Sequence, residues 1–108
     1  MVEIDDEIKM NIVRFIKKIT ETNIIIQKAY LYGSFANGTN REWSDIDIAL
    51  ISADFSEDRL EERIKLSLIA NDIDNRIEAI PYTPQSFNIN DPLVWEIQKT
   101  GIVLDIVP

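Results

Sequence analysis

The sequence predicts an α/β fold in which a small β-sheet is flanked by helices. Amphipathic helical runs alternate with short β-branched runs along the chain, and this alternation is typical of helices packed against a sheet. The breaks between the runs are brief, and no internal repeat or linker interrupts them. With 108 residues, the chain has the size of one domain, residues 1–108, with a single core.

The first half of the chain contains two predicted strands and two predicted helices. Apolar residues three or four apart from Ile4 to Ile19 predict an amphipathic helix. The β-branched and aromatic run "IIIQKAYLY", residues 24–32, predicts a strand that ends at Gly33, and a short helical turn follows it. The run "DIDIALIS", residues 45–52, alternates and then becomes fully apolar, as in a strand covered on both faces.

The second half repeats the alternation. Residues 55–74 predict a helix with Ser56 as N-cap and an apolar stripe formed by Leu60, Ile64 and Leu68. The run "NRIEAIPYT", residues 75–83, predicts a third strand that ends near Pro81.

A last helix and strand complete the order α-β-α-β-α-β-α-β. The helix has Asp91 as N-cap, Pro92 at its first position and Gly101 as C-cap. Residues 102–107 predict the final strand.

Composition and charge exclude several classes of function. The formal net charge is −8, from 11 basic and 19 acidic residues, so the chain repels a phosphate backbone and is not expected to bind nucleic acid directly. It has no cysteine or histidine, which excludes disulfides and Ser-His or Cys-His nucleophiles. No apolar run approaches the roughly 20 residues of a membrane span, and the N-terminus is acidic rather than signal-like. We therefore expect a cytoplasmic protein.

Asp45 and Asp47 form the first candidate site. Carboxylates are poor strand residues, yet both lie at the start of the second predicted strand. At the strand period of two they project from one face with Cα atoms about 6.6 Å apart, so they can converge on a hard divalent cation. A solvated strand start would give the same pattern.

Gly33 and Ser34 form the second candidate site. Glycine lets the backbone approach a ligand closely, and Ser34 begins a helical turn whose exposed amide groups favour a phosphate. A tight turn in which Ser34 caps the following residues is the structural alternative.

The spacing of the two sites resembles a known signature. "GS", ten residues and "DID" are similar to the Gly-Ser-x10-Asp-x-Asp signature of the DNA polymerase beta-like nucleotidyltransferases. The small size resembles the minimal nucleotidyltransferases that are paired with HEPN proteins, and the likeness extends over about residues 26–104. The resemblance implies the nucleotidyltransferase fold, with a small mixed β-sheet flanked by helices.

The resemblance also implies roles for individual residues. Gly33 and Ser34 would hold the nucleotide's phosphates, Asp45 and Asp47 would bind Mg²⁺, and Glu78 on the next strand would be the third catalytic, metal-binding carboxylate. Relatives more often have aspartate at that third position, and Glu78 could instead be an outward-facing strand residue.

Three residues between Ser34 and Asp45 each allow more than one role. Asn37 stands where relatives commonly carry arginine, and Arg41 either compensates for it or is a solvated loop charge. Trp43 could stack on a base, but core packing or loop anchoring is the expected role.

The function implied is transfer of AMP from ATP, assisted by two Mg²⁺ ions, to a hydroxyl of a HEPN-type toxin for which the protein is the antitoxin. A non-catalytic binding module that occludes its partner and a small-molecule, antibiotic-modifying nucleotidyltransferase are the alternatives. The nucleotide base, the acceptor and the oligomeric state, including a homo-oligomer, stay open at this stage.

Overall fold

A computed structural model describes residues 4–105 and has the predicted order of elements. The elements are α1 (Asp6–Thr20), β1 (Lys28–Tyr32), α2 (Ser34–Asn37), β2 (Ile46–Ile51), α3 (Arg59–Asn71), β3 (Ile77–Tyr82), α4 (Pro92–Thr100) and β4 (Ile102–Val103). The α/β prediction is therefore confirmed. The end of the last predicted strand, beyond residue 105, lies outside the described residues.

The four strands form one mixed sheet in the order β3-β2-β1-β4. β1 pairs antiparallel with both β2 and β4, whereas β2 and β3 are parallel and are connected through α3. This arrangement confirms the mixed sheet flanked by helices. It also places β2, which carries the predicted carboxylate pair, between β1 and β3.

α1 covers one face of the sheet with the apolar stripe that the sequence predicts. Asp5 caps its N-terminus, where the carboxylate accepts a hydrogen bond of 2.9 Å from the Glu7 amide. The buried residues of α1 pack against the strands and α3 in the larger core cluster. They are Ile8, Ile12, Phe15, Ile16 and Ile19.

α3 packs against the sheet with a different face from the predicted apolar stripe. Leu60, Ile64 and Leu68 are 70%, 53% and 64% exposed, whereas Leu66 and Ala70 are buried against the sheet. Aliphatic residues lie on both sides of this helix, so periodicity alone does not identify the packed side.

The predicted N-cap of α3 is also wrong. Asp58, not Ser56, caps the helix, since its carboxylate accepts a 3.0 Å hydrogen bond from the Glu61 amide. The Ser56 amide instead donates to Glu62. That contact, with Lys65 3.4 Å away, compensates the burial of the Glu62 carboxylate.

The opposite face of the sheet is covered by α4, whose predicted N-cap Asp91, Pro92 and C-cap Gly101 are confirmed. Val94 and Ile97 of α4 are fully buried there. The ring of Phe87 stacks on Tyr30 and meets Tyr82 edge-on, at centroid distances of 5.4 and 5.2 Å. Among the described residues, no helix has the length and apolar character that crossing a membrane requires.

Asp74 links the start of β3 to α1 through hydrogen bonds. Its carboxylate accepts hydrogen bonds from Asn11 of α1 at 3.1 Å and from the Arg76 amide and guanidinium, the shortest at 2.7 Å. The bonds from Arg76 are the main reason that the pKa of Asp74 is lowered. Asp74 therefore stabilises the fold in its ionised form.

Asp74→Asn is expected to lower the free energy of unfolding by about 1.5–3 kcal/mol at pH 7, the usual contribution of hydrogen bonds to a charged group. A carboxylate with a lowered folded-state pKa contributes above its unfolded value of about 3.9 and loses that contribution as the pH falls. Urea titrations from pH 7 to 3 should show the two proteins converging at low pH. Asp72→Asn, at an exposed neighbouring aspartate, is the control and should change little.

Candidate active site

Asp45 and Asp47 lie at the beginning of β2. Asp45 immediately precedes the strand and is exposed, and Asp47 is its half-buried second residue. Ile46 and Ile48 are fully buried in the cluster that α1 and α3 cover. Because side chains alternate along a strand, Asp47 projects from the opposite face, the one that α4 partly covers.

Asp47 has an aligned neighbour on each side. It is paired with Tyr32 of β1 and with Glu78 of β3. Residues in register on adjacent strands project from the same face, so the three side chains form a row across the sheet. The structure thus brings Glu78 beside Asp47, as the sequence suggests, and Glu78 is exposed there.

The carboxylates of this row repel one another. Burial, together with the charges of Asp45 and Glu78, raises the pKa of Asp47 to about 6. A hard divalent cation would offset this excess of negative charge, and the donors are all oxygen, which fits Mg²⁺. In residues 4–105 no three acidic side chains already stand together at metal-binding geometry. The pair Asp45 and Asp47 is therefore the part of the site suited to a cation, with Glu78 alongside.

Tyr32 is a member of the row that the sequence does not identify. Burial and then the charge of Asp47 raise the pKa of its hydroxyl well above the usual range, so Tyr32 is neutral and able to donate a hydrogen bond beside the carboxylates. The antiparallel pairing of the strands on either side of the Gly33 turn is the signal that places it opposite Asp47.

Gly33 is the residue of the turn that lies closest to the carboxylate of Asp47. Its backbone, with φ 74° and ψ −149°, occupies a region that only glycine populates readily. A β-carbon at this position would collide with Oδ2 of Asp47 and lie 3.3 Å from its Cγ. The absence of a side chain therefore allows the predicted phosphate cradle to lie directly against Asp47.

Ser34 is the first residue of α2 and is half-buried. The N-cap of α2 is Gly33, which has no side chain to cap the helix, so a capping role for Ser34 is excluded. A role in binding phosphate stays a prediction. Asn37 ends α2 and Arg41 lies in the following loop, and both are exposed.

The exposure of Trp43 contradicts the packing role that the sequence predicts. Its side chain is 75% exposed, although it lies only two residues before Asp45. Exposure of this indole could not be read from the sequence, because tryptophan is more often at least partly buried.

The fold and this arrangement agree with a comparison to known families. The family described as polymerase beta nucleotidyltransferase matches residues 14–105. The chain belongs to this family and is therefore a nucleotidyltransferase. A comparison with curated proteins gives no match.

Two solved structures show the same fold. A mutant form of the toxin–antitoxin MntA–HpeT is similar with a TM-score of 0.63 and 23% identity, over 94% of this chain and 72% of that chain. A toxin–antitoxin crystallised with AMP-PNP is similar with a TM-score of 0.55 and 28% identity, over 84% of this chain and 70% of that chain.

Proposed function

We propose that this nucleotidyltransferase transfers AMP from ATP, with Mg²⁺, to a hydroxyl of a partner protein, and that the partner is a HEPN-type toxin which the modification silences. The observation that carries the proposal is the junction of the turn and the carboxylates. Gly33 lies against Asp47, and Glu78 is aligned with Asp47 on the neighbouring strand.

The reaction requires a phosphate site next to an acidic site. The acceptor oxygen attacks the α-phosphorus of ATP, a new P–O bond forms, and the bond to the β-phosphate oxygen breaks to release pyrophosphate. Gly33 and Ser34 would orient the phosphates, and Asp45 and Asp47 would hold Mg²⁺, which supplies positive charge to the phosphate oxygens. We assign Glu78, the exposed member of the row, as the group that receives the hydroxyl proton.

Two observations support a toxin as the acceptor. Two structures similar to this chain are those of toxin–antitoxin proteins, one of them with AMP-PNP. The net charge of −8 disfavours nucleic acid as the acceptor. A phosphate-bearing group on the toxin adds negative charge where an RNA substrate would approach, which explains how transfer would silence it.

Coexpression with the toxin encoded by the neighbouring gene tests the proposal. The parent should protect cells, and the toxin's mass should rise by one AMP, whereas Asp45→Ala/Asp47→Ala should do neither. Glu57→Gln/Asp105→Asn, which removes two exposed charges beyond the opposite strand ends, should behave like the parent.

The same experiment separates the alternatives. If the Asp45→Ala/Asp47→Ala variant protects as well as the parent and the toxin stays unmodified, the protein acts by occlusion. If the purified parent instead modifies an aminoglycoside, and not the toxin, the small-molecule activity replaces the proposal.

Ser34→Ala is expected to weaken use of ATP while the fold persists, because Ser34 lies on a turn and its hydroxyl is not a cap. Loss of a hydrogen bond to a charged phosphate costs about 1.5–3 kcal/mol, or roughly a tenfold to hundredfold loss in kcat/KM. Steady-state kinetics with varied ATP would measure it. Ser67→Ala, at an exposed position of α3, is the matched control, and kinetics for Ser34→Ala equal to this control would exclude a phosphate contact.

A further inference from the structure

Trp43 is the most exposed of the large apolar side chains in residues 4–105, at 75%. The other tryptophan, Trp95, is 47% exposed, and the ammonium of Lys99 lies 4.5 Å from the centre of its ring. In the same range of residues, the stacked, edge-on and cation–π contacts involve other rings and not that of Trp43. An indole left in water forgoes the free energy of burial, and no stacked, edge-on or cation–π contact within residues 4–105 offsets it.

The backbone that carries Trp43 is held in place. The Ser44 amide donates to the Arg41 carbonyl at 3.0 Å, and the Arg41 amide donates to the Ser44 hydroxyl at 2.7 Å. These two bonds close the four-residue turn in which Trp43 is the third residue. A ring presented from a fixed turn loses little freedom when it binds, and such preorganisation favours affinity.

The turn lies at the edge of the candidate active site. The loop that contains it begins after α2, whose first residue is Ser34, and ends at Asp45. Two residues of chain cannot separate α-carbons by more than about 7 Å, so the backbone of Trp43 is within that distance of Asp45. The backbone of Trp43 is therefore next to the candidate site, and its exposed side chain begins within reach of a ligand held there.

The charges near Trp43 do not favour an anionic ligand without a metal ion. Glu42 and Asp45 are exposed carboxylates, one residue before and two residues after Trp43, and they repel a metal-free anion. The exposed Arg41, two residues before Trp43, offsets part of that repulsion. An uncharged ring is free of that repulsion, and aromatic side chains bind nucleobases by stacking on them.

We infer that Trp43 stacks on the base of the nucleotide whose phosphates lie at Gly33, Ser34 and the Asp45–Asp47 pair. The inference rests on the proposed function, and it adds a residue that binds the nucleoside. Stacking tolerates every base, and because its strength grows with ring area we expect only a modest preference for purine over pyrimidine nucleoside triphosphates.

Fluorescence of Trp43 tests the inference on the isolated protein. In a Trp95→Phe background Trp43 is the single tryptophan, and its emission should change on titration with Mg-ATP but not with Mg-tripolyphosphate, which has no base. Calorimetry should show that Trp43→Ala raises the Kd for Mg-ATP about 5- to 100-fold and leaves the Kd for Mg-tripolyphosphate unchanged. Trp43→Phe, which keeps a ring, should retain most of the affinity, and Mg-UTP should bind more weakly than Mg-ATP.

The outcomes distinguish this inference from the proposed function. If the parent does not bind Mg-ATP, both are overturned. If the parent binds Mg-ATP and Trp43→Ala binds it equally well, the stacking assignment alone is wrong. Loss of toxin binding in Trp43→Ala, with ATP affinity retained, would likewise overturn stacking and assign the indole to the protein acceptor.

Discussion

Asp45→Asn/Asp47→Asn is expected to abolish Mg²⁺-dependent binding of ATP and to reduce transfer by at least about a hundredfold, the loss that follows removal of one group stabilising a transition state. Asparagine keeps the shape of the side chains and removes both charges. Without those charges nothing at the start of β2 draws a divalent cation to the phosphates. Calorimetric titration with ATP, in Mg²⁺ and again in EDTA, measures the metal-dependent part.

The same variant should be more stable than the parent when no metal is bound. The pKa of Asp47 is raised to about 6 in the folded protein, against about 3.9 in an unfolded chain. Below pH 4 Asp47 is protonated in both states, so its ionisation does not affect the free energy of unfolding. Between pH 4 and 6 ionisation lowers the free energy of unfolding progressively, and above pH 6 it does so by the full amount. Because the group is partly exposed, screening reduces that cost to about 1 kcal/mol.

In the double asparagine variant, the free energy of unfolding should therefore rise while the affinity for ATP falls. Urea denaturation at pH 7 should show a gain in stability that disappears near pH 4, while ATP binding is lost. Glu57→Gln/Asp105→Asn removes the same number of charges elsewhere and should retain ATP binding. A double asparagine variant that still binds Mg-ATP like the parent would show that these aspartates are not the metal site.

The element order and the alternation of side chains along β2 could be predicted from the sequence. Gly33 and the runs on either side of it predict two strands joined by a turn, and the buried Ile46 and Ile48 follow from alternation with Asp47. The first predicted strand is too long at its start, since β1 begins at Lys28 and not at Ile24. Ile25 is exposed, and its amide donates to Asp54 at 2.8 Å rather than to a strand.

Features that depend on the packing of distant segments were not predictable. Leu60, Ile64 and Leu68 have the spacing of a packed face, but the connection of β2 to β3 turns the side with Leu66 toward the sheet. The exact register of Tyr32 and Glu78 with Asp47 likewise depends on which strands are neighbours and in which direction they run. The family resemblance places Glu78 near the aspartate pair, but it does not give this register.

Gly33→Ala is expected to have the second large effect, because it affects both the backbone and the carboxylate. The backbone of residue 33, at φ 74° and ψ −149°, is strained for any side chain, and the new methyl group would displace the carboxylate of Asp47. We expect a loss of about 1–3 kcal/mol in the free energy of unfolding together with loss of Mg²⁺-dependent ATP binding.

Gly38→Ala separates strain from the loss of the site. Gly38 also has a positive φ, 75°, but lies at the end of α2 in the left-handed helical region, where alanine costs about 1–2 kcal/mol. Urea denaturation and ATP calorimetry on both variants give the comparison. Gly38→Ala should be destabilised yet bind Mg-ATP, whereas Gly33→Ala, measured at a temperature where it is fully folded, should not. If folded Gly33→Ala bound Mg-ATP as Gly38→Ala does, Asp47 would tolerate the methyl group, and the close approach of the turn to the carboxylate would have no part in binding the nucleotide.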